Sequence, residues 1–223
     1  MNTPRAYHSP LREEQTAGTR SRIVDACVGL IRDQREFTFA AVARRAGVQE
    51  RTVYRHFPTK DALEASVWRW IVENLTQAEL AASSEDELVS AMRRSFTGFD
   101  AGAGLIEAML HSPQGLAIRQ SQQTARRAMF ERCAQSAVPG AGDEACTSLA
   151  AMLQLLYSAA AWDQLRSFWG MDAAAAADLV EQAIRLLFAG ARQETQRAAT
   201  PVRPSRISAA DYEPTETPPI EEA

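Results

Sequence analysis

The chain has 223 residues, of which 46% are hydrophobic and 23% charged, and its formal net charge is −4. This composition is ordinary for a soluble globular protein, and the length is ample for a sizeable core. Cys27, Cys133 and Cys146 are widely spaced and form no CxxC pair, which argues against a disulfide framework or a zinc site. We expect buried free thiols, with a redox sensor as the alternative.

The sequence predicts a cytoplasmic protein without a membrane partner. Its first 15 residues contain prolines and charges but not the apolar core of a signal peptide. The uncharged run 145–162 lies between Glu144 and Asp163 and includes Thr147 and Gln154. A helix buried inside the protein fits this run better than a bilayer span does.

Charge is distributed unevenly along the chain. The first 60 residues hold 11 basic and 6 acidic side chains and so carry +5, whereas the remainder carries −9. A basic N-terminal quarter on an acidic body indicates a local surface for a polyanion, although a solvated basic face would look the same.

Hydrophobic periodicity predicts helices throughout and no strands. In chain order we expect a flexible arm (1–15) and a small domain of short helices (16–58). A larger helical domain (59–197) and a disordered tail (198–223) follow. Helices are predicted over 16–34, 38–46, 50–57, 59–82, a segment from Ser84 to a glycine-rich break at 98–104, 105–110, 112–137, 143–169 and 173–196.

Residues 38–57 carry the clearest motif, two short helices joined by a glycine turn. Ala43 is small enough for the two helices to cross closely, and Gly47 accepts a left-handed turn. Val48 and Val53 are placed to fill the small core between the helices. This is the helix-turn-helix arrangement, in which the second helix enters the major groove of DNA.

The exposed side chains of the second helix suit that role. Arg51 and Arg55 are four residues apart and share a face, and arginine bound to guanine is the commonest specific base contact. Lys60 begins the next helix, where its ammonium and the free backbone amides can meet a phosphate. An ordinary helical hairpin with a polar face is the alternative interpretation.

The stretch FTFAAVARRAGVQERTVYRHFPTKDALEASV resembles the DNA-binding domain of the TetR family of transcriptional regulators. The resemblance covers residues 18–68 and rests on the small residue, the glycine-valine turn and the pattern that follows it: Ala43, Gly47, Val48, Thr52, Val53, Tyr54, Arg55, His56, Phe57, Lys60, Asp61 and Leu63.

The resemblance implies an all-α fold, in which an N-terminal three-helix domain containing the helix-turn-helix precedes a larger helical domain. It also implies contacts with double-stranded DNA by Thr38, Arg45, Arg51, Thr52, Tyr54, Arg55, His56 and Lys60. Family likeness further implies a homodimer held by the last two long helices, and the apolar helices 143–169 and 173–196 favour it independently.

The resemblance also implies a cavity inside the larger domain, which is expected to bind a small apolar ligand. Its candidate lining residues are Met109, His111, Phe130, Met152, Gln154, Tyr157 and Trp162, although Met and aromatic stripes at helical spacing are more often part of an ordinary core. No metal site or cofactor is expected, and no enzyme motif is present.

These features predict a dimeric repressor that a small molecule releases from a palindromic operator. The alternatives are a constitutive or protein-regulated DNA-binding factor of the same fold, or an activator.

Overall fold

The computed structural model describes residues 10–35, 38–77 and 80–199, which form eleven α-helices and one π-helical turn without a strand. The all-α prediction is therefore confirmed. The helices are α1 (Pro10–Arg32), α2 (Phe39–Ala46), α3 (Glu50–His56), α4 (Lys60–Ile71, continued by the π-helical turn Val72–Thr76), α5 (Glu85–Ala101), α6 (Ala103–His111), α7 (Pro113–Gln120), α8 (Gln123–Ala137), α9 (Asp143–Leu156), α10 (Ala159–Trp169) and α11 (Ala173–Ala199).

The first three helices form a small bundle around a shared apolar core. Ile23 and Cys27 of α1 are fully buried, as are Val42 of α2, Val53 of α3 and Phe57 after it. Helix α1 starts earlier than predicted, at Pro10, so residues 10–15 of the expected arm are helical. A proline suits a first helical position because its φ is preset and its missing N–H would be unpaired there anyway. Residues 1–9 lie outside the described part of the chain.

Helix α4 is shorter than the predicted 59–82 segment. Its α-helical part ends at Ile71 and the π-helical turn at Thr76. The next residue, Gln77, ends the helical conformation with a left-handed φ of +46°. Near the end of α4, the indole of Trp70 donates a 3.1 Å hydrogen bond to the Asp25 carboxylate, which links α4 to α1.

Helix α5 begins where Ser84 predicted it, with the Ser84 hydroxyl accepting from the Glu87 N–H and the Glu87 carboxylate accepting from the Ser83 N–H. The break expected at 98–104 occurs at Gly102, between α5 and α6, and α5 continues through Gly98 to Ala101. Gly98 instead permits a close crossing: a Cβ there would lie 2.0 Å from the Leu75 carbonyl oxygen.

Two predicted long helices are each broken into two. Segment 112–137 divides into α7 and α8 at Ser121 and Gln122, and segment 143–169 divides into α9 and α10 with a bend of 49°. The second break has a local cause, since Ser158 adopts an extended conformation and its hydroxyl caps α10 by accepting from the Ala161 N–H.

Helix α11 packs against α5 and α9, which bury its Val180, Ile184 and Phe188 within the monomer. Much of the apolar surface of α11 is therefore covered within the monomer. The helix also includes residues 198 and 199 of the predicted tail; 200–223 lie outside the described residues. No single helix among those described has the length and hydrophobicity of a membrane span, although the bent pair α9 and α10 together passes on length and composition.

Candidate nucleic-acid interface and cavity

The turn between α2 and α3 depends on Gly47, which has φ +66° and ψ +36°. In this conformation the Gly47 N–H bonds to the Arg44 carbonyl and the Val48 N–H to the Ala43 carbonyl. A residue with a Cβ is strained at such a φ, so the sequence requires glycine here. The turn fixes the angle at which α3 leaves the bundle.

Helix α3 is divided between a buried and an exposed face. Val53 is fully buried, whereas Arg51, Tyr54 and Arg55 are exposed. Because Val53 and the buried Phe57 are one helical turn apart, they hold α3 against the bundle from one side and leave the other side free. The free side presents two guanidinium groups and a phenol, which suit base edges and phosphates.

Tyr54 is held in place by an aromatic stack across the motif. Its ring lies on Phe39 with a centroid distance of 4.2 Å and an interplanar angle of 1°. Phe39 is the first residue of α2, so the stack joins the start of α2 to the exposed face of α3. It restrains the Tyr54 ring while leaving the side chain 48% exposed.

Arg20 of α1 clamps the end of α3. Its guanidinium donates a 3.1 Å hydrogen bond to the His56 carbonyl and lies 4.2 Å from the centroid of the Phe57 ring. Desolvation, followed by the charges of Arg55 and Arg20, lowers the pKa of His56 below its ordinary value. The imidazole Nε2 is buried and has no partner among the described residues. The lowered pKa favours the neutral imidazole.

Two threonines cap the helices that precede and follow α3. Thr38 caps α2 by accepting from the Ala41 N–H, and Thr59 caps α4 by accepting from the Ala62 N–H. Each hydroxyl keeps its proton for a further acceptor. Lys60 begins α4 and is exposed, while Thr52 on α3 is half-buried.

Arg45 has an intramolecular role that the sequence did not indicate. Its guanidinium donates to the Asp33 carboxylate at 2.5 Å and lies directly over Gly29, where a Cβ would come within 2.5 Å of it. The side chain thus joins the end of α2 to the end of α1, in addition to any part it takes in binding.

Helices α4 to α10 line a cavity of about 680 Å³, within the size range of ligand pockets. Of the candidate lining residues, the structure brings together Met109, Phe130, Gln154 and Tyr157. Tyr157 is fixed by a 2.7 Å hydrogen bond between its hydroxyl and that of Ser95 on α5. Exposed Leu116 and Leu155 also belong to the wall, so the cavity opens to solvent.

Three candidate lining residues lie elsewhere. The His111 side chain is 73% exposed and its Nε2 is 4.0 Å from Asp163, while Met152 is 45% exposed on the outside of α9. Trp162 is fully buried in the core beside Phe99, after the break that separates α10 from α9. The prediction treated 143–169 as one straight helix, and the break at Ser158 turns Trp162 away from the cavity.

Sequence reasoning missed the charged part of the cavity wall. Arg119 of α7 and Arg126 of α8 line the cavity together with Trp68 of α4. In the sequence, these arginines occur within the predicted helix 112–137, which otherwise contributes to the core. The break at Ser121 and Gln122 determines which of its arginines face the cavity, and the sequence did not indicate that break. No group of three or more possible metal ligands occurs among the described residues.

Comparison with known proteins gives a family match for the motif and structural matches for the fold. Residues 32–67 match the family model described as bacterial regulatory proteins, tetR family. A crystal structure of a TetR-like transcriptional regulator from Rhodococcus sp. RHA1 has a TM-score of 0.55 and 19% identity, covering 85% of this chain and 100% of that one. A TetR transcriptional regulator from the same organism has a TM-score of 0.46 and 18% identity, covering 78% and 98% respectively. No curated protein matches significantly.

Proposed function

We propose that the chain is a DNA-binding regulator of the tetR family, and that it acts as a dimeric repressor that a small ligand releases from a palindromic operator. The observation that carries the proposal is the exposed face of α3. Arg51, Tyr54 and Arg55 point to solvent from a helix whose other side is anchored by Val53. Such a helix can enter a major groove without disturbing the core that holds it.

Roles follow for the individual residues of this interface. Arg51 and Arg55 read base edges, while Thr38, Thr52, Tyr54 and Lys60 hold phosphates. His56 lies at the end of α3 near the backbone, and Arg45 adds a phosphate contact from the edge of α2.

Exposed apolar side chains on α10 and α11 support the dimer. Phe168 and Trp169 at the end of α10 are each 75% exposed, and Leu186 on α11 is 66% exposed. Large apolar side chains that a single chain leaves exposed are what an interface buries. A two-fold dimer would place two copies of α3 about 34–36 Å apart, one turn of DNA.

Helix α4 connects the proposed operator contact to the cavity. Lys60 stands at its first residue, and Trp68 and Ile71 near its other end line the cavity. A ligand that favours a different tilt of α4 changes the separation of the two α3 helices. DNA affinity then falls, and by linkage DNA weakens ligand binding to the same extent.

Selection of duplexes from a random pool, followed by fluorescence polarisation, tests the proposal. Wild type is expected to select a palindrome and to bind it with two chains per site. Arg51→Ala is expected to relax base preference and Tyr54→Ala to weaken binding, whereas Arg69→Ala, an exposed arginine on α4, is the control and leaves both unchanged. Failure to select any duplex contradicts the proposal.

Two further measurements separate the alternatives. Equal affinity of a cavity ligand with and without operator, measured by calorimetry, would indicate a constitutive or protein-regulated factor. Placement of the selected site upstream of the promoter elements, together with loss of transcription on deletion of the protein, would indicate an activator.

A further inference from the structure

The cavity wall carries an excess of positive charge. Its charged residues are Arg119, Arg126, Arg127 and Glu131. Arg127 and Glu131 pair with each other at 2.7 Å along α8, so their charges largely cancel. Two guanidinium groups, those of Arg119 and Arg126, remain.

Neither of these two groups has a carboxylate within 4.0 Å among the described residues. Arg119 donates one 2.7 Å hydrogen bond to the Met109 carbonyl, and Arg126 donates one of 3.4 Å to the Tyr157 carbonyl. Arg126 also lies 5.8 Å from the centre of the Trp68 ring. A guanidinium has several N–H donors in a planar fork, so each side chain keeps donors for an incoming acceptor.

The positive charge of Arg119 acts on Arg126. Burial lowers the pKa of Arg126, Tyr157 opposes this shift, and the charge of Arg119 adds to it. Burial likewise lowers the pKa of Arg119. A cation placed in an apolar cavity without a counter-ion is costly, and an anion bound between two such cations relieves both the desolvation and the repulsion.

The rest of the cavity wall is apolar and matches the uncharged part of a ligand. Ile71, Phe99, Ile106, Met129 and Phe130 supply an apolar surface that continues from the two arginines. We propose that the ligand is an amphipathic anion, an apolar chain or ring system ending in a carboxylate or phosphate that Arg119 and Arg126 bind. This proposal rests on the proposed function only in treating the cavity as the effector site. It replaces the small apolar ligand expected from the sequence with a charged, amphipathic one.

Calorimetry on the full chain without DNA tests the site directly. Dodecanoate and dodecyl phosphate are the anionic probes, and dodecanol and dodecylamine are the neutral and cationic probes of equal chain length. At least one anionic probe is expected to bind about tenfold or more tightly than dodecanol, with dodecylamine weakest. The tighter of the two anions identifies the head group as carboxylate or phosphate.

Variants locate the charge. Arg126→Gln and Arg119→Gln are each expected to weaken the anionic probe about tenfold while leaving dodecanol unchanged. Arg132→Gln is the matched control, because Arg132 lies on α8 and also donates to a carbonyl, that of Leu80, but does not line the cavity. Circular dichroism melting and operator binding without probe check that each variant folds.

The outcomes separate this inference from the proposed function. Dodecanol binding as tightly as the anions, or equal weakening by Arg126→Gln and Arg132→Gln, overturns the anion site while leaving operator release open to a neutral ligand. Arginine-dependent binding of the anion supports the site even if operator affinity does not change, in which case it is ligand-induced release that fails.

Discussion

The side-chain amide of Gln114 on α7 donates a 2.6 Å hydrogen bond to the Glu64 carboxylate on α4, and both side chains are buried. One turn earlier on α4, the Lys60 ammonium lies 3.9 Å from the same carboxylate oxygen. Glu64 therefore joins the end of α4 proposed to face DNA to α7, which carries Arg119 of the cavity.

Removal of this bond is expected to destabilise the fold. Gln114→Ala leaves a buried carboxylate without its donor, which should lower the free energy of unfolding by about 1–3 kcal/mol. Urea denaturation measures the effect, and Gln120→Ala, an exposed glutamine on the same helix, is the control. In Glu64→Ala/Gln114→Ala the loss should be smaller than the sum of the single losses, since neither group is then left unpaired. Additive losses would show that the bond contributes nothing.

The stack of Phe39 on Tyr54 separates two roles of the tyrosine. Tyr54→Phe keeps the ring and removes only the hydroxyl, so it should retain wild-type thermal stability while weakening operator binding. Tyr54→Ala removes both and should also cost about 0.5–1.5 kcal/mol of stability. Melting followed by circular dichroism and polarisation titrations measure the two effects. If Tyr54→Phe binds operator as tightly as wild type, the hydroxyl makes no phosphate contact.

The helix-turn-helix could be predicted in detail because its constraints are local. Gly47, Val53 and Phe57 occupy positions where a left-handed turn or a small core allows few residue types, and Thr38, Thr59 and Ser84 cap the helices that they were predicted to begin. Each of these signals depends on a few neighbouring residues, so it can be recognised from the sequence alone.

The cavity was harder to predict because it depends on where long helices break. Apolar periodicity continues through Ser121 and through Ser158, so pattern alone gives two straight helices. The breaks determine that Arg119 and Arg126 face the cavity while Trp162 does not. Ser158 offered a capping signal within an apolar run, but a serine there is equally compatible with an unbroken helix.

Two of the three cysteines are expected to be unreactive. Burial raises the pKa of Cys27 to about 12 and that of Cys133 to about 11, against an ordinary value of 9.0. Since the thiolate is the reactive form, neither should be alkylated by iodoacetamide near neutral pH in the native protein, and both should be alkylated once urea unfolds it. Peptide mass spectrometry distinguishes the sites. Rapid native labelling of Cys27 or Cys133 would revive the redox-sensor alternative.

His56 gives a prediction for pH. Desolvation and the charges of Arg55 and Arg20 lower its pKa in the free protein, so its imidazole should titrate below about 6.5, the value of an unfolded histidine. Because the pKa of His56 is lower in the folded state than in the unfolded state, the contribution of this group to folding stability is fully present at pH above the unfolded-state pKa. It is lost as pH falls through the folded-state pKa.

Phosphates near the end of α3 should have the opposite effect on this group. Negative charge favours the imidazolium, so the pKa of His56 should rise on operator binding, and affinity should increase as pH falls through that range. Imidazole proton NMR of free and bound protein measures both values, with His56→Gln assigning the signal. The same variant should flatten the pH dependence of affinity. A His56 pKa that is ordinary in the free protein and unchanged by DNA would place the imidazole away from the phosphates.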